Sequence, residues 1–185
     1  MPPAAWWPRF WAQAIILVHA QDGTLEDLVG ESRAREVEAH LAQNKKNVES
    51  QTKALIERAK QRLSQFRSGT LPARLAEEFT KDRDLTSGFW SMYSSTSCPA
   101  CGDPGAILEG DNVVSTSLEG DWSDGDMDDY TSWVELTVSS SYLSCSSCRL
   151  VLPGHEFIEA AEVETEFTTI DHDVADYFGS EYGND

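Results

Sequence analysis

Between Glu31 and Arg67 the apolar positions return every three or four residues: Val37, Leu41, Val48, Leu55, Ala59 and Phe66 share a stripe with Asn44 and Thr52. That spacing is helical, the stretch is dense in helix formers, and Gly69 stands where a helix would stop, so a helix is predicted over about 31–68. It would run about 50 Å at ~1.5 Å per residue, more than a compact domain covers, and is expected to pack on other helices or on a second copy as a homodimer. Upstream, Thr24 and Asp27 have the spacing of a helix cap. Downstream, TLPARLAEEFTKDRD predicts a shorter helix over about 71–82, capped by Thr70, with Leu75 and Phe79 turned inward.

The first twenty residues, MPPAAWWPRFWAQAIILVHA, place Trp6, Trp7, Phe10, Trp11, Ile15 and Val18 on the apolar face of a helix expected to be buried. The run also ends at Val18-His19-Ala20, which is similar to a signal-peptidase site, and a chain starting partway into a longer domain would leave the same aromatic segment. Gln13 interrupts it, and Trp11 to Ala20 falls well short of the ~20 residues that span a membrane. The expectation is therefore a cytoplasmic protein with no membrane association.

Beyond residue 87 the period changes to two. GFWSMYS, AILEG, SWVELTVSSSYLS and RLVLPG read as strands, with Val134, Leu136, Val138 and Tyr142 on one face. HEFIEAAEVETEFTTI adds a short helix and a last strand containing Val163, Thr165 and Phe167. The class predicted is α+β: a helical region over 1–86, an antiparallel β domain over 87–170 and a tail over 171–185.

Charge divides the chain at about the same place. Residues 1–97 carry 13 Lys and Arg against 12 Asp and Glu, whereas residues 98–185 carry one cation, Arg149, against 20 acids. Nucleic-acid affinity comes largely from cations that neutralise phosphates, so no direct nucleic-acid binding is expected of the C-terminal half. A protein partner with a basic surface is the complement of such a field. The acidic tail, with Tyr177 and Phe178, has the composition of a segment that docks on a basic partner or stays disordered.

All four cysteines fall in this acidic half, as Cys98-Pro-Ala-Cys101-Gly102 and Cys145-Ser-Ser-Cys148-Arg149. Two residues between thiols let both face one ion, and a following Gly permits the tight turn; Arg149 stands where that Gly is commonest. Four soft thiolates are the tetrahedral set that structural zinc prefers. Iron would accept the same ligands, and disulfides become the reading if the N-terminus is a secretion signal.

These two motifs resemble the zinc-ribbon group, in a chain whose composition looks bacterial or phage-like. The resemblance implies two knuckles on β-hairpins around one structural Zn2+ held by Cys98, Cys101, Cys145 and Cys148, with no open coordination position. The 43 residues between the pairs exceed a simple ribbon, so an acidic insertion over about 109–132 is expected at hairpin tips. In the stretch DWSDGDMDDYTSWVE, which begins inside it, Asp124, Asp126, Asp128 and Glu135 resemble an EF-hand calcium loop, although Asp129 replaces its Gly and an exposed acidic loop ordered by Trp122 and Tyr130 is the other reading. His155 reads as a loop residue and not a ligand.

On the long helix, Arg33 or Arg35 with His40 resembles the Arg-x(4 to 6)-His element of HEPN-type ribonucleases; a solvated face with ion pairs four residues apart has the same pattern. No catalytic set emerges. The expected function is non-enzymatic: a structural zinc site stabilises an acidic β domain used for protein interaction. The alternatives are an acidic nucleic-acid mimic that occupies the groove of a nucleic-acid-acting protein, and a helical ribonuclease with an attached ribbon.

Overall fold

The computed structural model describes residues 6–81, 85, 92–122 and 130–171. Asp124, Asp126 and Asp128, the side chains of Trp6, Trp122 and Tyr130, and the tail residues Tyr177 and Phe178 lie outside the described residues. The chain is α+β, its N-terminal helices followed by two antiparallel sheets. It divides into two compact units, residues 1–51 and 52–185.

The first unit holds α1 (Trp6–His19), α2 (Leu25–Val29) and the first part of α3 (Glu31–Arg67). The predicted cap is present and reciprocal: the Thr24 N–H donates to Asp27 Oδ2 at 2.9 Å, and the Asp27 N–H donates to Thr24 Oγ1 at 3.2 Å. Gly30 then turns the chain into α3 at a φ of 79° that other residues rarely adopt. Leu25, Ala34 and Val37 form a small core, with Trp11, Ile15, Val29 and Leu41 packed on it. The expectation of a buried first helix is only half met. Trp11 and Ile15 pack inward, but Trp7 and Phe10 remain 47% and 41% exposed, because three short stretches of helix cannot surround a segment that is apolar on nearly every side. No helix among the described residues is long and apolar enough to cross a membrane.

The second unit is built on two sheets. One has the order β1 (Met92–Thr96), β2 (Ala106–Gly110), β5 (Tyr142–Cys145), β6 (Leu150–Leu152); the other has the order β3 (Asn112–Trp122), β4 (Tyr130–Ser139), β7 (Glu166–Asp171), and all neighbours are antiparallel. Val134, Leu136 and Val138 alternate inward as their spacing requires, joining Leu108, Leu143, Leu150, Leu152 and Ile158 in one core, to which α3 adds Ala59 and Leu63. Further along, Phe66 of α3 stacks on Phe79 of α4 (Ala73–Thr80) at 4.7 Å. The predicted stop holds: α3 ends at Arg67, and Gly69 takes a φ of 69°.

Several boundaries differ from the sequence reading. Tyr142 does not continue the strand of Val138: at Ser140 and Ser141 the chain passes from one sheet to the other. The Ser140 N–H and Oγ both donate to Thr165 O at 2.8 Å, and the Ser141 N–H donates to Glu109 O at 2.8 Å, so this crossing is fixed by backbone partners far away in sequence. The acidic insertion is largely strand, since Asn112–Trp122 pairs along its length with Tyr130–Ser139. Helix α4 begins after Pro72 with no side-chain cap; the Thr70 hydroxyl instead reaches back to Gln65 O at 3.4 Å. Val163 and Thr165 precede β7, which contains the buried Phe167. His155 opens helix α5 (His155–Ala160), with Nδ1 3.1 Å from Ser140 O.

Candidate metal centre

The turn joining β1 to β2 carries Cys98 and Cys101, while Cys145 ends β5 and Cys148 lies in the turn from β5 to β6. Because β2 and β5 pair antiparallel, with Ile107 opposite Ser144, both turns leave the same end of their sheet. Their four Sγ atoms all lie within 4.8 Å of one another. Cys98 and Cys148 approach to 3.5 Å and Cys101 and Cys145 to 3.7 Å. An ion ~2.3 Å from four tetrahedral sulfurs would hold them about 3.8 Å apart, whereas a disulfide needs ~2.05 Å. The four thiols therefore face a common point, with the dimensions that a thiolate-bound metal requires. Cys98, Cys145 and Cys148 are buried and Cys101 is half-buried. Among the described residues this is the one group with such donor geometry, and it includes no histidine.

The first knuckle follows from its sequence. Gly102 takes a φ of 74°, its N–H donates to Cys98 O at 2.9 Å, and the Cys98 N–H donates to Asp103 O at 2.9 Å, which closes the loop around the sulfurs. The Ala100 N–H points at Cys98 Sγ from 3.4 Å, a donor that favours thiolate. Crowding splits the thiols' acidities. Hydrogen bonds from Cys145 and Cys148 pull Cys98 down to about 4, while the same sulfur contacts and burial push Cys148 up. One negative charge shared among packed thiols explains both directions; a divalent cation at the common point is what would let all four ionise.

The second knuckle needs the left-handed conformation in a residue that is not glycine: Arg149 has a φ of 59°. Its guanidinium compensates, since Nη2 donates to Lys81 O at 2.6 Å and to Phe79 O at 3.3 Å, the carbonyls at the end of α4. The two knuckles are also joined directly. The Ser147 hydroxyl donates to Asp103 Oδ2, and the Gly105 N–H donates to Oδ1 at 2.8 Å; these contacts, Ser147 foremost, hold the Asp103 carboxyl below the usual range. The sequence marked Arg149 as the one cation of the acidic half and as a departure from Gly, but did not connect the two, and it gave no sign of Asp103 and Ser147. The available signal was the single cation of the acidic half, placed at a turn position that disfavours it.

The other residues singled out in the sequence are not brought here. Glu135 is exposed on β4. Arg35 pairs with Glu31 on the exposed side of α3, while Arg33 and His40 line a cleft against α1. Comparison with known proteins adds no relative: no family model, curated protein or solved structure matches the chain at a significant level.

Proposed function

We propose that Cys98, Cys101, Cys145 and Cys148 hold one structural Zn2+, and that residues 87–170 form a zinc ribbon whose acidic surface binds a basic protein partner. The convergence of four sulfurs within 4.8 Å, at the shared end of two hairpins, carries the reading. Four protein thiolates complete a tetrahedral sphere, which leaves no position for water or substrate and makes the ion a staple. The strands in its grip are short: β5 has four residues and β6 three, and hairpins of that size are marginal alone. Metal binding would then be part of folding.

Elemental analysis of the purified protein tests the first part, with one zinc per chain expected and replacement by Co2+ giving the absorption of a tetrahedral thiolate site. Cys98→Ser should lose the metal and the β structure while sparing much of the helical signal. Iron in place of zinc would change the metal assignment, and thiols found paired as disulfides would end it. For the second part, association with a basic protein should weaken as salt rises; association indifferent to salt would remove the charge argument.

A further inference from the structure

We propose that the outer edge of β3 receives an extended basic peptide, which joins the three-stranded sheet as a fourth strand. This rests on the reading of the acidic half as a binder of basic protein, and says where and in what form the partner is held. An edge strand leaves alternate backbone N–H and C=O groups without a ladder partner, so proteins ordinarily keep such strands short or interrupt them with Lys or Pro. The other edges follow that rule by length: β1 has five residues, β6 three and β7 six. In contrast, β3 has eleven residues, pairs among the described residues with β4 alone, and contains no Lys, Arg or Pro. A register shift between Val113 and Ser115 bends its start, which leaves residues 115–120 as a regular and exposed stretch.

The two faces of that stretch specify the peptide, since directly paired residues share a face of the sheet. Leu118 pairs with Val134 and Thr116 with Leu136, so both stand on the side where Val134 and Leu136 are buried. Leu118 is nevertheless 52% exposed, because β3 is the last strand; a neighbour with an apolar side chain beside it would extend the core by one column. On the opposite face Glu119 pairs with Trp133 and Ser117 with Glu135, and both carboxylates are exposed and outside the ion pairs formed among the described residues. The one cation of residues 98–185, Arg149, is committed to the end of α4, so the complementary charge must come from the partner. A strand in which Lys or Arg alternates with apolar residues satisfies the backbone edge, the carboxylates and Leu118 together. A second copy of β3 would instead bring one acidic half against another.

Titration of the isotope-labelled, full-length protein with a capped peptide of alternating Lys and Val tests the proposal, read by amide NMR and hydrogen exchange. Saturable one-to-one binding is expected, with slowed exchange at alternate amides within residues 115–120. Methylating alternate backbone nitrogens of the peptide, in either phase, keeps its charge; the phase that removes the donors facing β3 should weaken binding about tenfold or more. Glu119→Lys should weaken it by about fivefold or more, and because Glu119 is exposed the variant should keep the wild-type circular dichroism. Binding unchanged by methylation in both phases or by Glu119→Lys, or protection mapped to another element, overturns the proposal and leaves the wider charge reading standing. Failure of the peptide to bind while a folded basic protein still associates in a salt-dependent way does the same, whereas failure of both overturns the two readings together. Protection of β3 that grows with protein concentration in the absence of peptide assigns the edge to a second copy and so overturns the basic occupant.

Discussion

Replacing Arg149 sets two opposed terms against each other, and the structure says which wins. A left-handed φ of 59° costs a side-chain-bearing residue ~1–2 kcal/mol, which Arg149→Gly would recover. The same change removes the guanidinium bonds to the end of α4. The 2.6 Å bond to Lys81 O is worth about 1.5–2 kcal/mol as a charge-assisted contact, and the longer one to Phe79 O, at 3.3 Å, about 0.5–1 kcal/mol. Arg149→Gly should therefore destabilise slightly, by roughly 0.5–1.5 kcal/mol. Arg149→Ala keeps the strain and loses the bonds, and should cost about 2–3 kcal/mol. The expected order is wild type, then Gly, then Ala, readable as midpoints of guanidinium unfolding followed by far-ultraviolet circular dichroism of the purified protein. A glycine variant more stable than wild type would refute the reasoning, because the guanidinium would then contribute less than the strain it accompanies. The order would also fail if Gly and Ala proved equal, since the backbone conformation would then cost nothing.

Three further outcomes follow from particular residues. Thr52 is fully buried on α3 and its Oγ1 has no hydrogen-bond partner among the described residues, so Thr52→Val should stabilise by about 1 kcal/mol, seen as a rise of a few degrees in thermal midpoint. Gly110 ends β2 against the end of β4, and an added Cβ would lie 2.2 Å from Ser139 O; Gly110→Ala should cost about 3 kcal/mol or more, and a neutral result in denaturant titration would show that the two sheet ends separate freely. The Asp27 carboxyl is held below its ordinary value by hydrogen bonds from the Thr24 hydroxyl and backbone, so its contribution is present above pH ~4 and lost as pH falls through the lowered value. Carboxyl-carbon NMR should find that midpoint below 3.8, and Thr24→Ala should raise it.

What was legible in the chain was chemistry and local periodicity. The thiol spacing pointed to one ion without any knowledge of the fold, because ligand number and softness are properties of the residues themselves. The helix predicted over 31–68 is found at Glu31–Arg67, with its stop at Gly69, and the Thr24–Asp27 cap is found because it involves four consecutive residues. The alternation of Val134, Leu136 and Val138 likewise named the inward face of β4.

Tertiary structure decided the rest, for a common reason: the deciding partners lie far away in sequence. Ser140 and Ser141 separate β4 from β5 because their groups bond Thr165 and Glu109, neither visible in a local window. The acidic insertion becomes strand because a ladder pairs Asn112–Trp122 with Tyr130–Ser139, which outweighs the loop-like composition. Arg149 can occupy a glycine position only because the end of α4, about seventy residues earlier, offers carbonyls to its guanidinium. Spacing alone named the four thiols; it took the antiparallel pairing of β2 with β5 to bring both couples to one end of a sheet, where a single cation can reach all of them.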